Sequence, residues 1–289
     1  MSRAKGKPFI ALRWIIAALL AIGLVVAAKA WSDTLRDPLV ERTAVRLAAL
    51  PADMPPIRIV LVSDIHVAGP DMPPERLRRI MAQINALEPD IVAIAGDLVS
   101  ERRGATHVYK PDEIVAPLAG LTPRFGTVVV PGNHDHWYNL PALDAELRRY
   151  GIPLLANSAI RLGPLVIGGL DDAYTGRDDI PATLEAMQRL GGGGIILSHS
   201  PDPAAVLPER IDLVLAGHTH CGQIAYPWGG APAHMSDYGD RYGCGRIEEG
   251  RRTVIVGAGL GTSVIPMRLF TQPQIWMVEV SGGGDRPAA

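Results

Sequence analysis

A loop-rich α/β domain behind an amino-terminal apolar helix is the fold class predicted for this chain of 289 residues. Two patterns predict it. Short apolar runs of strand length recur between helix-like segments, and most of them are followed within three residues by Asp, His or Asn. A longer apolar stretch stands apart near the start. Composition agrees. With 47% hydrophobic and 20% charged residues the chain is not of the disordered class. Its 31 Gly and 25 Pro follow no fixed period, which excludes collagen-like and solenoid architectures and leaves a protein with many loops. Two cysteines are too few for a disulfide framework.

The apolar stretch runs from Phe9 to Ala28 and is interrupted only by Arg13. A helix of that length spans about 30 Å, the thickness of a bilayer core. It reads as a retained signal anchor, or as a signal peptide cleaved at the small residues of Ala28-Lys29-Ala30. The net charge is −2, but Arg3, Lys5, Lys7, Arg13 and Lys29 put +5 in residues 1–30 and leave −7 for the rest. Basic residues ahead of the run keep the amino terminus cytoplasmic and place the body across the membrane. This balance gives no reason to expect nucleic-acid binding, and no protein partner can be inferred.

Residues 31–56 read as a linker with an edge segment: the patch Val40–Leu47 suits an edge strand or a short helix, and Pro51, Pro55 and Pro56 break it. The strand-and-loop units then begin. Ile57–Val62 leads to Asp64 and His66, Ile91–Ala95 to Gly96-Asp97, and Thr127–Val130 to Gly132-Asn133-His134-Asp135. Leu165–Ile167 leads to Asp171, Ile195–Leu197 to Ser198-His199, and Leu213–Leu215 to Gly217-His218-Thr219-His220. Helices are expected over Pro74–Leu87, Asp112–Leu121, Pro141–Tyr150 and Pro181–Leu190. Thr253–Val256 and Ile275–Val278 read as closing strands, and Ser281–Ala289 as a loose tail. The domain is expected over residues 57–280.

Ligands in an open α/β sheet collect beyond the carboxyl ends of the strands. That rule converges Asp64, His66, Asp97, Asn133, His199, His218 and His220 on one site. Five of the 8 histidines fall in these loops. Carboxylate, imidazole and amide ligands without thiolate suit divalent ions such as Mn²⁺, Fe²⁺ or Zn²⁺. The ligands outnumber the needs of one ion, and a carboxylate shared between two ions about 3.5–4 Å apart would make a two-metal site.

Together Asp64-x-His66, Gly96-Asp97, Gly132-Asn133-His134-Asp135, Ser198-His199 and Gly217-His218-Thr219-His220 resemble the motif set of the calcineurin-like metallophosphoesterases. The likeness runs from about Ile57 to Val280. The apolar leader, Gln223, Gly259-Leu260-Gly261-Thr262-Ser263, Pro266 and Arg268 resemble the bacterial membrane-associated YkuE- and YaeI-like phosphodiesterase branch. The resemblance implies a four-layer α/β/β/α sandwich and hydrolysis of a phosphodiester, phosphomonoester or pyrophosphate, and the apolar tether puts lipid-linked or envelope substrates ahead of soluble ones. It implies a first metal on Asp64, His66 and His220, a second on Asn133, His199 and His218, and Asp97 bridging them, with a bridging hydroxide as nucleophile. His134 would act on the leaving-group side, with Asp135 orienting it or its loop. A soluble nucleotide phosphodiesterase and a non-catalytic metal-binding scaffold are the alternatives.

The chain departs from that branch at Cys221, where Gly is usual. Cys221 could be a small buried residue, a partner for Cys244, or a metal ligand. Arg268 reads as a substrate-phosphate ligand or as a structural residue. Trp137, Tyr138, Trp228 and Tyr238 could line a substrate groove. His107 and His136 are not expected to be ligands. Gly257-Ala258-Gly259-Leu260-Gly261 mimics a dinucleotide fingerprint, but Pro266 follows and no acidic residue lies at the right spacing, so it reads as a tight loop near the metals.

Overall fold

The computed structural model describes residues 7–101 and 104–283, with side chains from residue 10 onward. Arg3, Lys5 and the tail beyond residue 283 lie outside the described residues. Helix α1 (Lys7–Leu35) is longer than the apolar run that predicts it. It continues unbroken through Ala28-Lys29-Ala30, and its last turn is packed on the domain, with Ala30, Asp33 and Thr34 buried. The part from Ile10 to Leu35 is long and apolar enough to cross a membrane, and its apolar window has no buried residues.

Strand β1 (Leu39–Leu47) settles the first ambiguous segment as a strand. It is followed by β2 (Ile57–Val62), helix α2 (Pro74–Asn85), β3 (Ile91–Ala95), helix α3 (Pro111–Val115), β4 (Gly126–Val130), helix α4 (Asn133–Tyr138) and helix α5 (Leu140–Arg149). The second half holds β5 (Ser158–Leu162), β6 (Leu165–Gly169), helix α6 (Ile180–Arg189), β7 (Ile195–Leu197), β8 (Leu213–Ala216), β9 (Gly245–Glu249), β10 (Arg252–Val256) and β11 (Gln274–Gly282). One sheet has the order β1-β11-β2-β3-β4, the other β5-β6-β7-β8-β10-β9. The final strand contains Ser281 and Gly282, so the strand overruns the start of the expected tail. Pairing in parallel with β11 puts β1 at the sheet edge.

Alternation along the central strands builds four layers. Ile57, Ile59 and Leu61 of β2 face the second sheet and meet Ile167, Leu197 and Leu215 there. Val60 and Val62 face outward onto Leu77, Ile80, Met81 and Ile84 of α2, the residues that the helical period marks as its inner face. On the far side Val166, Ile196 and Val214 pack on Met187 of α6. Strands covered on both faces read as continuous apolar runs, which is why β2, β3, β4, β7 and β8 are visible in the sequence. Four elements escape that logic. β5 and β9 carry polar residues, and each pairs antiparallel with a single neighbour at the sheet edge. Helix α4 is only six residues long and has no apolar period. The helix expected over Asp112–Leu121 is α3 followed by a 3₁₀ turn, Ala116–Gly120.

The amino-terminal helix is fastened to the domain by polar contacts. Thr34 Oγ1 accepts the backbone N–H of Arg268 at 2.7 Å. Arg76 of α2 donates to the carbonyls of Thr34 and Arg36 at 2.8 and 3.0 Å.

Candidate metal centre

The loops that leave β2, β3, β4, β7 and β8 meet at one end of the two sheets, and they bring all seven expected ligands together. Asp64, His66, Asp97, Asn133, His199, His218 and His220 are all buried. Five of them adopt left-handed backbone, with φ of 48° at Asp64, 49° at His66, 54° at Asp97, 69° at His218 and 51° at His220. Each such conformation costs a non-glycine residue about 1–3 kcal/mol, and such strain collects where function needs it. Glycines make room for the carboxylates. A Cβ on Gly132 would strike Asp97 Oδ1, and one on Gly217 would strike Asp64 Oδ2.

The donor atoms converge. His66 Nε2 and His220 Nε2 are 3.1 Å apart, and His220 Nε2 lies 3.4 Å from Asp64 Oδ1. Asp97 Oδ2 lies 3.5 Å from His66 Nε2 and 3.3 Å from His199 Nε2. His199 Nε2 is in turn 3.1 Å from both Asn133 Oδ1 and His218 Nδ1. Two backbone carbonyls set the tautomers. Val99 O lies 3.2 Å from His66 Nδ1, and Ala95 O lies 2.8 Å from His199 Nδ1. A carbonyl only accepts, so each Nδ1 carries a proton and each Nε2 is the ring atom turned toward the centre. Asp64, His66 and His220 form one group with ligand atoms within 4.8 Å of one another, Asp64, Asp97 and His199 a second, and His66, Asp97 and His134 a third. Asp97 belongs to two of the three. The donor set and its convergence fit divalent cations.

The buried acids and imidazoles act on one another at close range. Burial works to raise the Asp97 pKa, but His199, His66 and His134 overcome it and hold this carboxyl well below the carboxylate range. Burial works to lower the His199 pKa, yet Asp97 pushes it up to about 10. Asp64 is raised to about 6, mainly by burial. Burial, reinforced by His199, lowers His218 to about 3, and burial with His66 depresses His220.

Asp135 lies behind this cluster. Its Oδ2 accepts the N–H of Asp97 and of Gly132 at 2.9 and 3.0 Å, and its Oδ1 accepts that of Leu98 at 2.8 Å. It holds the two loops and does not touch the His134 ring. That ring is gripped by a residue the motif reading missed: Glu101 Oε2 lies 2.7 Å from His134 Nδ1. A lone Glu in the charged stretch Glu101-Arg102-Arg103 gives no signal in a single sequence. Burial lowers the His134 pKa, but the hydrogen bond to Glu101 and the charge of Asp97 raise it more, so the net shift is upward. His136 is also paired, at 2.6 Å from Asp171 Oδ1.

A cavity of about 490 Å³ opens on Asp97, Asn133, His134 and His218. Its walls include Trp137, Tyr174, Met235, Val264 and Ile265. Of the four aromatics expected in a groove, Trp137 alone lines it. Tyr138 donates to Tyr109 O, Tyr238 packs edge-on against Tyr242, and Trp228 stacks on Tyr226 away from the cavity. Arg268 is fully buried, and its Nη2 donates to Ala258 O at 2.7 Å and to Gly261 O at 2.5 Å, beside His220. It braces the loop under the ligands and is closed off from substrate. That loop, residues 257–261, does lie against the cluster, where Gly261 N donates to Asp64 O at 2.8 Å. Cys221 and Cys244 form a disulfide, which removes the thiol from the list of metal ligands.

The calcineurin-like phosphoesterase family model matches residues 57–222, more than half of the chain. The chain belongs to the calcineurin-like phosphoesterase family. A Danio rerio transmembrane protein with a metallophosphoesterase domain is 32% identical over 90% of this chain. An uncharacterized metallophosphoesterase of Helicobacter pylori J99 is 29% identical over 84%, and the uncharacterized Bacillus subtilis metallophosphoesterase YkuE is 29% identical over 83%. The calcineurin-like chain spans 60% of the first relative's length, 64% of the second's and 85% of the third's.

Proposed function

We propose that this protein is a binuclear metal-dependent phosphoesterase tethered to a membrane by α1, with its catalytic domain on the extracytoplasmic side and a lipid-linked or envelope phosphoester as substrate. One observation carries the catalytic reading. The Asp97 carboxylate lies between the imidazoles of two ligand groups, 3.5 Å from His66 and 3.3 Å from His199, a position that supports one carboxylate shared by two cations.

In this reading Asp64, His66 and His220 hold one divalent ion, Asn133, His199 and His218 hold the other, and Asp97 is shared. When bound, the ions supply a nucleophile at neutral pH and offset charge on the phosphoryl oxygens. His134 borders the cavity with its Nδ1 held by Glu101, so its Nε2 can deliver a proton to the departing oxygen. Asp135 keeps the β3 and β4 loops in register so that Asp97 and Asn133 share one centre. The apolar walls formed by Trp137, Met235, Val264 and Ile265 suit a phosphoester that carries an apolar group. The disulfide and the basic residues before the apolar run support an exported domain. The unbroken course of α1 into the domain supports a retained anchor.

The test is turnover by the full chain in mild detergent, loaded with Mn²⁺, against aryl monoesters, aryl diesters and UDP-linked glycolipids. Hydrolysis that a chelator abolishes and Mn²⁺ restores is the expected result. Hydrolysis indifferent to the chelator, or none on any class, would overturn the proposal.

A further inference from the structure

Two exposed loops meet where α1 enters the domain. The first, residues 224–231, carries Tyr226 and Trp228, whose rings stack with centroids 5.3 Å apart and planes 5° from parallel. Trp228 is 81% exposed. The second, residues 263–272, carries Val264, Ile265 and Phe270, with Val264 73% exposed. The loops are joined to each other: Ile224 and Leu269 form a bridge, and Ala225 N donates to Leu269 O at 2.9 Å. They are also joined to the end of α1. Phe270 N donates to Asp33 Oδ2 at 3.1 Å, Lys29 Nζ sits 5.0 Å from the Phe270 ring centroid, and Arg36 donates to Gln272 at 3.2 Å.

We infer that these two loops form a collar that dips into the bilayer interface and presents the metal cleft to the membrane surface. The inference rests on α1 as a membrane span and on the proposed activity. The order of groups along the exit of α1 supports it. The apolar run of α1 gives way at Lys29, which reaches the Phe270 ring. Pro227, Gly229 and Gly230 of the aromatic turn line the same cavity as Lys29, Asp33 and Phe270. A span held at this point brings both loops to the headgroup level. An aromatic pair and a lysine are the groups that favour that level, because each has an apolar body and a polar tip. Exposed apolar side chains clustered on two joined loops mark an interaction surface rather than scattered exposure. The same loops reach the catalytic side, since Ile224, Val264 and Ile265 line the metal cleft. A lipid phosphoester could then pass from the bilayer to the cations along an apolar wall.

The experiment uses the full chain in bilayers of phosphatidylcholine and phosphatidylglycerol. Some bilayers carry lipid brominated at shallow acyl positions. The Trp228 contribution is the emission difference between the parent and Trp228→Phe, with Trp228→Tyr as an independent second variant. Trp14, within the apolar helix, is isolated in the same way through Trp14→Phe. Brominated lipid should remove most of the emission of both residues, and aqueous iodide should leave Trp228 largely unquenched. Trp14 quenched by brominated lipid with Trp228 quenched only by iodide would overturn the collar and leave the span intact. Neither residue quenched by brominated lipid would overturn both. No turnover is needed, so a failure of the proposed activity reads out separately.

Discussion

The backbone N–H of Asp97 donates to the Asp135 carboxylate at 2.9 Å, so the residue shared by two ligand groups is held from behind by an acid outside the cleft. Asp135→Asn replaces one acceptor oxygen by an amide that faces N–H donors. A buried donor left without its acceptor costs about 1–3 kcal/mol, and loss of such a support lowers metal affinity about 10- to 100-fold. Denaturant unfolding and Mn²⁺ titration of the variant check both effects. Parental Mn²⁺ affinity would show that the loops hold their register without this carboxylate.

Removing the His134 ring separates proton delivery from metal binding. His134→Ala should keep the parent's metal content and slow turnover by roughly 10² to 10⁴. The loss should shrink for p-nitrophenyl esters, whose leaving group departs without a proton, and be full for alkyl or sugar leaving groups. Glu101→Gln should show the same dependence on leaving group in weaker form. Equal losses across leaving groups would assign His134 to the phosphoryl oxygen. A lost ion would make it a ligand, as its place beside His66 and Asp97 allows.

Cation binding should release protons. A group raised in the folded state keeps its proton up to the raised pKa. His199, at about 10, therefore holds a proton in neutral solution that a cation must displace. Affinity for Mn²⁺ should accordingly rise with pH toward that value, and fall further below about 6 as Asp64 takes up its proton. Calorimetry near neutral pH in buffers of different ionisation enthalpy measures the released protons. Heats independent of the buffer would contradict the coupling between His199 and Asp97.

The side of the membrane is open to a direct test. A reporter that is active only outside the cytoplasm, fused after residue 289, should be active, and the chain should remain with membranes. Peptides linked through Cys221 and Cys244 should appear in non-reduced material. An inactive reporter together with two freely alkylated thiols would place the domain in the cytoplasm.

Much of this architecture is legible in the sequence because it rests on burial. β2, β3 and β4 are covered on both faces, so they read as unbroken apolar runs, and their ends mark the ligand loops. β5 and β9 are not legible, because pairing with β6 and β10 defines them rather than composition. The candidate ligands are legible as Asp, His and Asn at strand ends. Their geometry is not, because five of them depend on left-handed backbone that only the surrounding packing enforces. Glu101 is invisible for a related reason. Its partner His134 lies 33 residues away, and no local pattern joins them.

The most direct measurement is electron paramagnetic resonance of the Mn²⁺-loaded full chain, paired with metal analysis. The parent should hold two Mn²⁺ per chain and give the spectrum of an exchange-coupled pair. Asp97→Asn, with a neutral amide at the shared position, should lose that coupling and bind fewer ions. One uncoupled Mn²⁺ per chain in the parent, or a coupled pair that persists in Asp97→Asn, would contradict a two-metal centre built on Asp97.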